Sequence, residues 1–121
     1  MEFWFLIIAS SISLIGMLFH GIVGQQKYMG NINKSALEPL TKSLSLVSWH
    51  TFTVFLFVSF ASCVLVAFNK VSAEILYPII STNLLGSFLF VALGLTGHKV
   101  LLQMPGSYLM GFTALFAYMA I

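Results

Sequence analysis

Long apolar stretches separated by short polar ones dominate the chain. Four of them are predicted to be membrane-spanning helices, at 3–23, 42–68, 75–97 and 100–121. The first three reach the roughly 20 mostly apolar residues that a helix needs to cross a bilayer, and the fourth nearly does. The first two show no period-two alternation, which argues against a β-barrel. The predicted fold is all-α, a single-domain integral membrane antiparallel four-helix bundle.

The connections are less uniform than the spans. The polar stretch GQQKYMGNINKSALEP (24–39) is predicted to be the longest loop, and Pro39 suits the first turn of the next helix. The third span has two alternative ends. It stops at Gly97, which gives a fourth span with a kink at Pro105, or it continues to Gln103 and turns at Pro105–Gly106. The greater length of the fourth span favours the first alternative.

Composition supports lipid as the surrounding medium. Hydrophobic residues make up 60% of the 121 residues and charged residues 7%, with a mean hydropathy of +1.03. Soluble domains carry about 25% charged residues, so the lipid bilayer is the predicted partner. Five lysines without any arginine do not make a nucleic-acid-binding face. The single cysteine, Cys63, cannot form an intrachain disulfide or a redox pair.

The lysines predict an orientation. An even number of spans places both termini on one side, which then holds only Lys70. The opposite side holds the long loop, the turn after the third span and the remaining lysines, Lys27, Lys34, Lys42 and Lys99. The positive-inside rule makes that side cytoplasmic. Both termini are therefore predicted to lie outside the cytoplasm.

Three histidines are the candidate functional residues. His20, His50 and His98 fall on three different spans and in the same half of the membrane. Intramembrane ionisable residues are functional candidates by default. Imidazoles from two helices would ligate haem b, and three would hold a transition metal ion. A histidine pair would alternatively pass protons or bind a quinone oxygen. The predicted function is a redox or metal-handling site near the cytoplasmic side.

Small and polar residues mark the faces that are predicted to pack. Gly16, His20 and Gly24 share one face of the first span, and Asn83, Ser87, Gly94 and His98 share one face of the third. Small residues allow helix backbones to approach closely in lipid. Beside a ligand, the same glycines would leave room for a flat macrocycle.

Spans one and two resemble those of small four-helix bacterial integral membrane proteins. The matching elements are His20-x-x-x-Gly24, then Pro39–Leu40, then Trp49–His50, and they cover about the first half of the chain. The resemblance implies a multi-pass protein of the bacterial inner (plasma) membrane. It brings no assigned activity.

Other interpretations remain open. Histidines near an interface can simply reach water, and the chain would then be a non-catalytic accessory or structural subunit with membrane-protein partners or a homo-oligomeric state. A third alternative is a small ion channel. The segment from Asn83 to Phe88 resembles the Asn-x-x-Gly-Ser-Phe segment of small fluoride channels, but those carry it in the second span. No catalytic residue is predicted.

Overall fold

The computed structural model describes residues 1–121 and contains helices and connections but no strand. Four helices, α1 to α4, follow one another along the chain, over Glu2–Lys34, Pro39–Ala67, Ala73–Leu95 and Pro105–Tyr118. The first turn of α3, Ala73–Ile75, is a 3-10 helix, and a second 3-10 helix, Lys99–Gln103, precedes α4. Helices α1, α2 and α3 are long and apolar enough to cross a membrane.

Helix α1 extends further than the hydropathy pattern predicts. The stretch expected to be a loop is helical as far as Lys34, so the chain reverses over only 35–38. Polar residues indicate contact with water, and they do not by themselves end a helix. At about 1.5 Å per residue, the 33 residues of α1 measure about 50 Å, more than a bilayer core. Pro39 begins α2 at its first helical position, as the sequence predicts.

The connection between α3 and α4 follows parts of both sequence alternatives. Helix α3 ends at Leu95, and Gly97 has a φ of +129°, a backbone conformation that favours glycine. This agrees with a third span that stops near Gly97. Helix α4, however, begins at Pro105, so this proline starts a helix and does not kink one. The 14 residues of α4 measure only about 21 Å.

The helices pack in the order α2, α1, α4, α3. Helix α1 packs against α2 and α4, and α3 packs against α4, whereas α2 and α3 have few contacts. Near the chain termini all four helices contribute to a buried cluster, here called the terminal cluster, which consists of Leu6, Ala9, Cys63, Val66, Ala67, Leu76, Ala117 and Ala120. Small side chains in this cluster let the backbones come close.

A central polar layer follows the terminal cluster along the helices. Each helix supplies one buried member: Ser13, Ser59, Asn83 and Thr113. The Ser13 and Thr113 hydroxyls lie 3.3 Å apart, and the Asn83 side-chain amide donates to Ser59 Oγ at 3.2 Å and to the Ile79 carbonyl at 2.9 Å. Hydrogen bonds between side chains of different helices stabilise packing in apolar surroundings. Beyond this layer the helices separate around a cavity.

Candidate ligand cavity

A cavity of about 510 Å³, here called the aromatic cavity, lies between the ends of the four helices that are remote from the chain termini. All four helices line it. Its aromatic wall consists of Phe19, Tyr28, Trp49, Phe52 and Phe90, and none of its lining residues is Asp, Glu, Lys or Arg. The volume and apolar lining are typical of small-molecule sites, which measure about 300–1,000 Å³.

His20 is the only histidine that lines this cavity. Its ring stacks on the indole of Trp49, with centroids 4.0 Å apart and an interplanar angle of 12°. Phe52 meets the same imidazole edge-on at 5.0 Å. His20 Nδ1 lies 2.9 Å from Thr53 Oγ1, within hydrogen-bond distance. The imidazole is therefore fixed by three side chains of one face of α2.

Gly24 is what allows Trp49 to take this position. A Cβ atom at Gly24 would lie only 2.5 Å from Trp49 Cζ2, so the indole packs directly on the α1 backbone. Trp49 Nε1 also donates to the His20 carbonyl at 3.2 Å. The carbonyl that accepts this bond belongs to the π-helical stretch Phe19–Met29. A side chain that bonds to the backbone within a helix is one recognised accompaniment of such departures from α-helical geometry.

Tyr28 is the last residue of α1 that lines the cavity. Its ring lies 6.0 Å from that of Trp49, and its hydroxyl donates to Met104 Sδ at 3.7 Å. A thioether sulfur is a weak acceptor, so this hydroxyl remains available to a stronger one.

The other small and polar residues face neighbouring helices. A Cβ atom at Gly94 would meet Leu102 at 2.5 Å, and Ser87 Oγ donates to the Ser107 carbonyl at 2.8 Å. Gly16 lines the aromatic cavity, and a Cβ atom there would have only ordinary contacts, the nearest with Leu109 at 3.8 Å. Most of this glycine-rich surface thus accommodates neighbouring side chains, and Gly16 has room for a methyl group in ordinary contact with Leu109 and Leu56.

His50 and His98 are placed differently from His20. His50 is half-buried on α2 near His20, outside the cavity lining. His98 is exposed in the turn before Lys99–Gln103. No three His, Cys, Asp or Glu side chains come together in an arrangement that could hold a metal ion. The haem and metal site at these three histidines stays a prediction.

A second cavity, of about 600 Å³, lies at the opposite end of the helices. It is lined by Glu2, Phe3 and the α2–α3 connection with Lys70, and also by four members of the terminal cluster, Leu6, Val66, Ala67 and Ala120. Among its polar side chains only that of Ser72 makes a hydrogen bond, in which its hydroxyl accepts from the backbone N–H of Glu74. The aromatic cavity, whose imidazole is held on three sides, is the candidate site.

Sequence reasoning missed the residues that hold His20. In the sequence Trp49 stands out only as part of the Trp49–His50 pair, and no role is predicted for Phe52, Thr53 or Tyr28. A signal was nevertheless present, because residues three and four apart share one face of a helix. Trp49, Phe52 and Thr53 have this spacing. Comparison with protein-family models, with curated proteins and with solved structures finds no match to this chain.

Proposed function

We propose that the chain is an integral membrane protein with four antiparallel crossings, of which α1, α2 and α3 make three, and the shorter α4 together with the 3-10 helix Lys99–Gln103 makes the fourth. The outward faces support insertion, because they carry large apolar side chains such as Val54, Phe57, Leu85 and Phe88, each more than half exposed. Continuous apolar surface of this kind marks contact with lipid or with another protein. The terminal cluster uses mainly the first halves of α1 and α3 and the second halves of α2 and α4, whereas the aromatic cavity uses mainly the other halves, and the central polar layer lies between them. This alternation is expected when successive helices run antiparallel.

The aromatic cavity then lies in the cytoplasmic half of the bacterial inner membrane, with both termini on the outer side. Four of the five lysines, Lys27, Lys34, Lys42 and Lys99, belong to the end that holds the cavity. A reporter that is active only outside the cytoplasm, fused after Ile121, tests this orientation. Activity of a cytoplasmic reporter at the same position would reverse it.

The function that we propose for this membrane protein is binding of a neutral, largely apolar small molecule in the aromatic cavity. One observation carries it: His20, with Nδ1 held by Thr53, borders an apolar space of about 510 Å³ to which all four helices contribute. Ligand sites are mostly apolar with a few well-placed polar groups. His20 is the group that orients the ligand, and the absence of charge from the lining favours a neutral one.

A cavity-filling variant tests this function. Leu109 lines the cavity, whereas Leu115 lies on the same helix and is 48% exposed. We expect organic extracts of the purified wild-type protein and of Leu115→Trp to contain a common neutral compound, identified by mass spectrometry. The compound should be depleted at least tenfold in Leu109→Trp. Equal recovery from both variants would place the compound outside the cavity.

The same preparations test the haem and metal prediction. His20, His50 and His98 would supply the ligands, and a Soret band or a stoichiometric metal in elemental analysis would identify the group. Haem also carries two carboxylates, for which the cavity lining offers no cationic side chain. We therefore place a neutral ligand ahead of haem.

A further inference from the structure

The polar atoms that line the aromatic cavity narrow the class of ligand. Its polar side chains belong to three residues, His20, Tyr28 and Trp49. The Trp49 N–H already donates to the His20 carbonyl, and His20 Nδ1 is paired with the Thr53 hydroxyl. His20 Nε2 and the Tyr28 hydroxyl remain for a ligand, since the hydroxyl has only a weak sulfur acceptor at 3.7 Å.

Both of these atoms can act as donors. When the Thr53 hydroxyl donates to Nδ1, the neutral imidazole carries its proton on Nε2. The Tyr28 hydroxyl also carries a proton that it can donate. The two residues stand at opposite ends of the π-helical stretch Phe19–Met29, and both border the cavity. A ligand that engaged both donors would present one acceptor oxygen to each of them.

The cavity wall adds two further requirements. Aromatic side chains from three helices, including Phe19, Phe52 and Phe90, favour a flat ring between them. Because the lining contains no charged side chain, a carboxylate, phosphate or ammonium group would lose its hydration without gaining a partner. These walls favour a flat, neutral and lipid-soluble ligand, and carbonyl oxygens are the acceptors that would suit the two donors.

We propose that the aromatic cavity binds a quinone, with His20 Nε2 and the Tyr28 hydroxyl each donating to one carbonyl oxygen. This inference rests on the proposed function, because it names the class of the neutral ligand in the same cavity. Trp49 packs beside the ring site and holds the imidazole in its orientation.

Trp49 also supplies the measurement. The chain has two tryptophans, and a Trp4→Phe variant leaves Trp49 as the only one. In that background a short-tailed 1,4-naphthoquinone should quench tryptophan emission saturably in detergent micelles. A Trp49→Phe variant, which keeps the 65% exposed Trp4 remote from the cavity, should show only the linear quenching that partition into micelles produces.

Two comparisons test the role of the donors. A brominated naphthalene with the same tail has the flat ring without carbonyl oxygens, and it quenches tryptophan through its bromine. We expect it to bind about tenfold more weakly than the quinone, and we expect Tyr28→Phe to weaken quinone binding by about tenfold. His20→Phe keeps a flat ring on Trp49 and should have a similar effect. Tyr118→Phe, at an exposed site near the carboxyl terminus, should have none.

The possible results separate this inference from the proposed function. Equal saturable binding of quinone and brominated naphthalene, unaffected by Tyr28→Phe, would overturn the quinone assignment and leave an apolar ligand site in place. Saturable quenching by neither compound would overturn both. Quinone binding that falls in Tyr28→Phe and His20→Phe but not in Tyr118→Phe would support both.

Discussion

Near the chain termini the four helices meet through small and aliphatic side chains, and the cavity beside them is lined in part by the charged residues Glu2 and Lys70. At the opposite end the helices enclose an aromatic cavity without charged lining. The terminal cluster contains side chains without measurable exposure, such as Ala9, Cys63 and Leu76. The aromatic cavity instead keeps an open volume beside a fixed imidazole. Under the proposed function, the end with the terminal cluster holds the helices together and the end with the aromatic cavity holds the ligand.

The two ends also differ in backbone geometry. Through the terminal cluster α1 is a regular α-helix, but over Phe19–Met29, beside the cavity, it is a π-helix. Such segments are rare, and they occur frequently at functional sites. The irregular part of α1 thus coincides with the residues that orient the candidate ligand.

Removing a leucine side chain from each end should give the largest contrast. Leu76 has 0% exposure in the terminal cluster, so Leu76→Ala should lower the free energy of unfolding by about 3 kcal/mol, within the range for buried leucines. Leu109→Ala only enlarges an existing cavity and should cost less than half as much. SDS titration in mixed micelles measures both. Equal losses would mean that the cavity end is packed as tightly as the terminal cluster.

Two separate glycine-to-alanine substitutions on α1 should distinguish a glycine that packs directly against a neighbouring side chain from one with room for a methyl group. Gly24→Ala would place Cβ 2.5 Å from Trp49, so the indole must move, and we expect a loss of about 1–2 kcal/mol. Gly16→Ala would make only ordinary contacts, the nearest at 3.8 Å, and should be neutral or slightly stabilising.

Trp49 emission provides a second measurement for this pair. In the Trp4→Phe background, the emission maximum should shift in Gly24→Ala and stay constant in Gly16→Ala. An unchanged spectrum and stability in Gly24→Ala would show that Trp49 does not pack on the α1 backbone.

The three long helices could be predicted from hydropathy. Which side of each helix faces its neighbours could not. Depth along a helix follows from residue position, and in the structure His20 lies near the middle of α1, beside the cavity that is remote from the chain termini. Rotation about the axis needs a contrast between a polar and an apolar face. The outward residues of α2, such as Val54 and Phe57, are as apolar as the buried ones, so hydropathy does not tell the faces of this helix apart.

The candidate site shows the same limit. His50 and Trp49 are neighbours in sequence and therefore point about 100° apart on α2, and the structure places Trp49, not His50, on the cavity. The helical spacing of Trp49, Phe52 and Thr53 could have indicated that face. The continuation of α1 through its polar segment had no such signal, because polar residues are compatible with both a helix and a loop.

Thr53 offers a smaller test of how the imidazole is held. Thr53→Val removes the partner of His20 Nδ1 and should cost about 1 kcal/mol, the value of a typical hydrogen bond. Thr51→Val is the matched control, since the exposed Thr51 hydroxyl donates only to the Val47 carbonyl of its own helix. The control should change the free energy of unfolding by less than about 0.5 kcal/mol. Similar losses in both variants would show that the His20–Thr53 contact contributes little.

The smallest expected effect lies in the central polar layer, between the two ends. Ser59→Ala removes the only hydrogen bond that joins the side chain of Asn83 to α2, but the Asn83 amide still donates to the Ile79 carbonyl. Hydrogen bonds between helices in membranes contribute about 0.6 kcal/mol on average, and we expect a loss of that size. Ser11→Ala, where an exposed hydroxyl donates to its own helix, should cost less in the same SDS titration. A loss above about 2 kcal/mol at Ser59 would mean that α2 and α3, which touch little elsewhere, depend on this one contact.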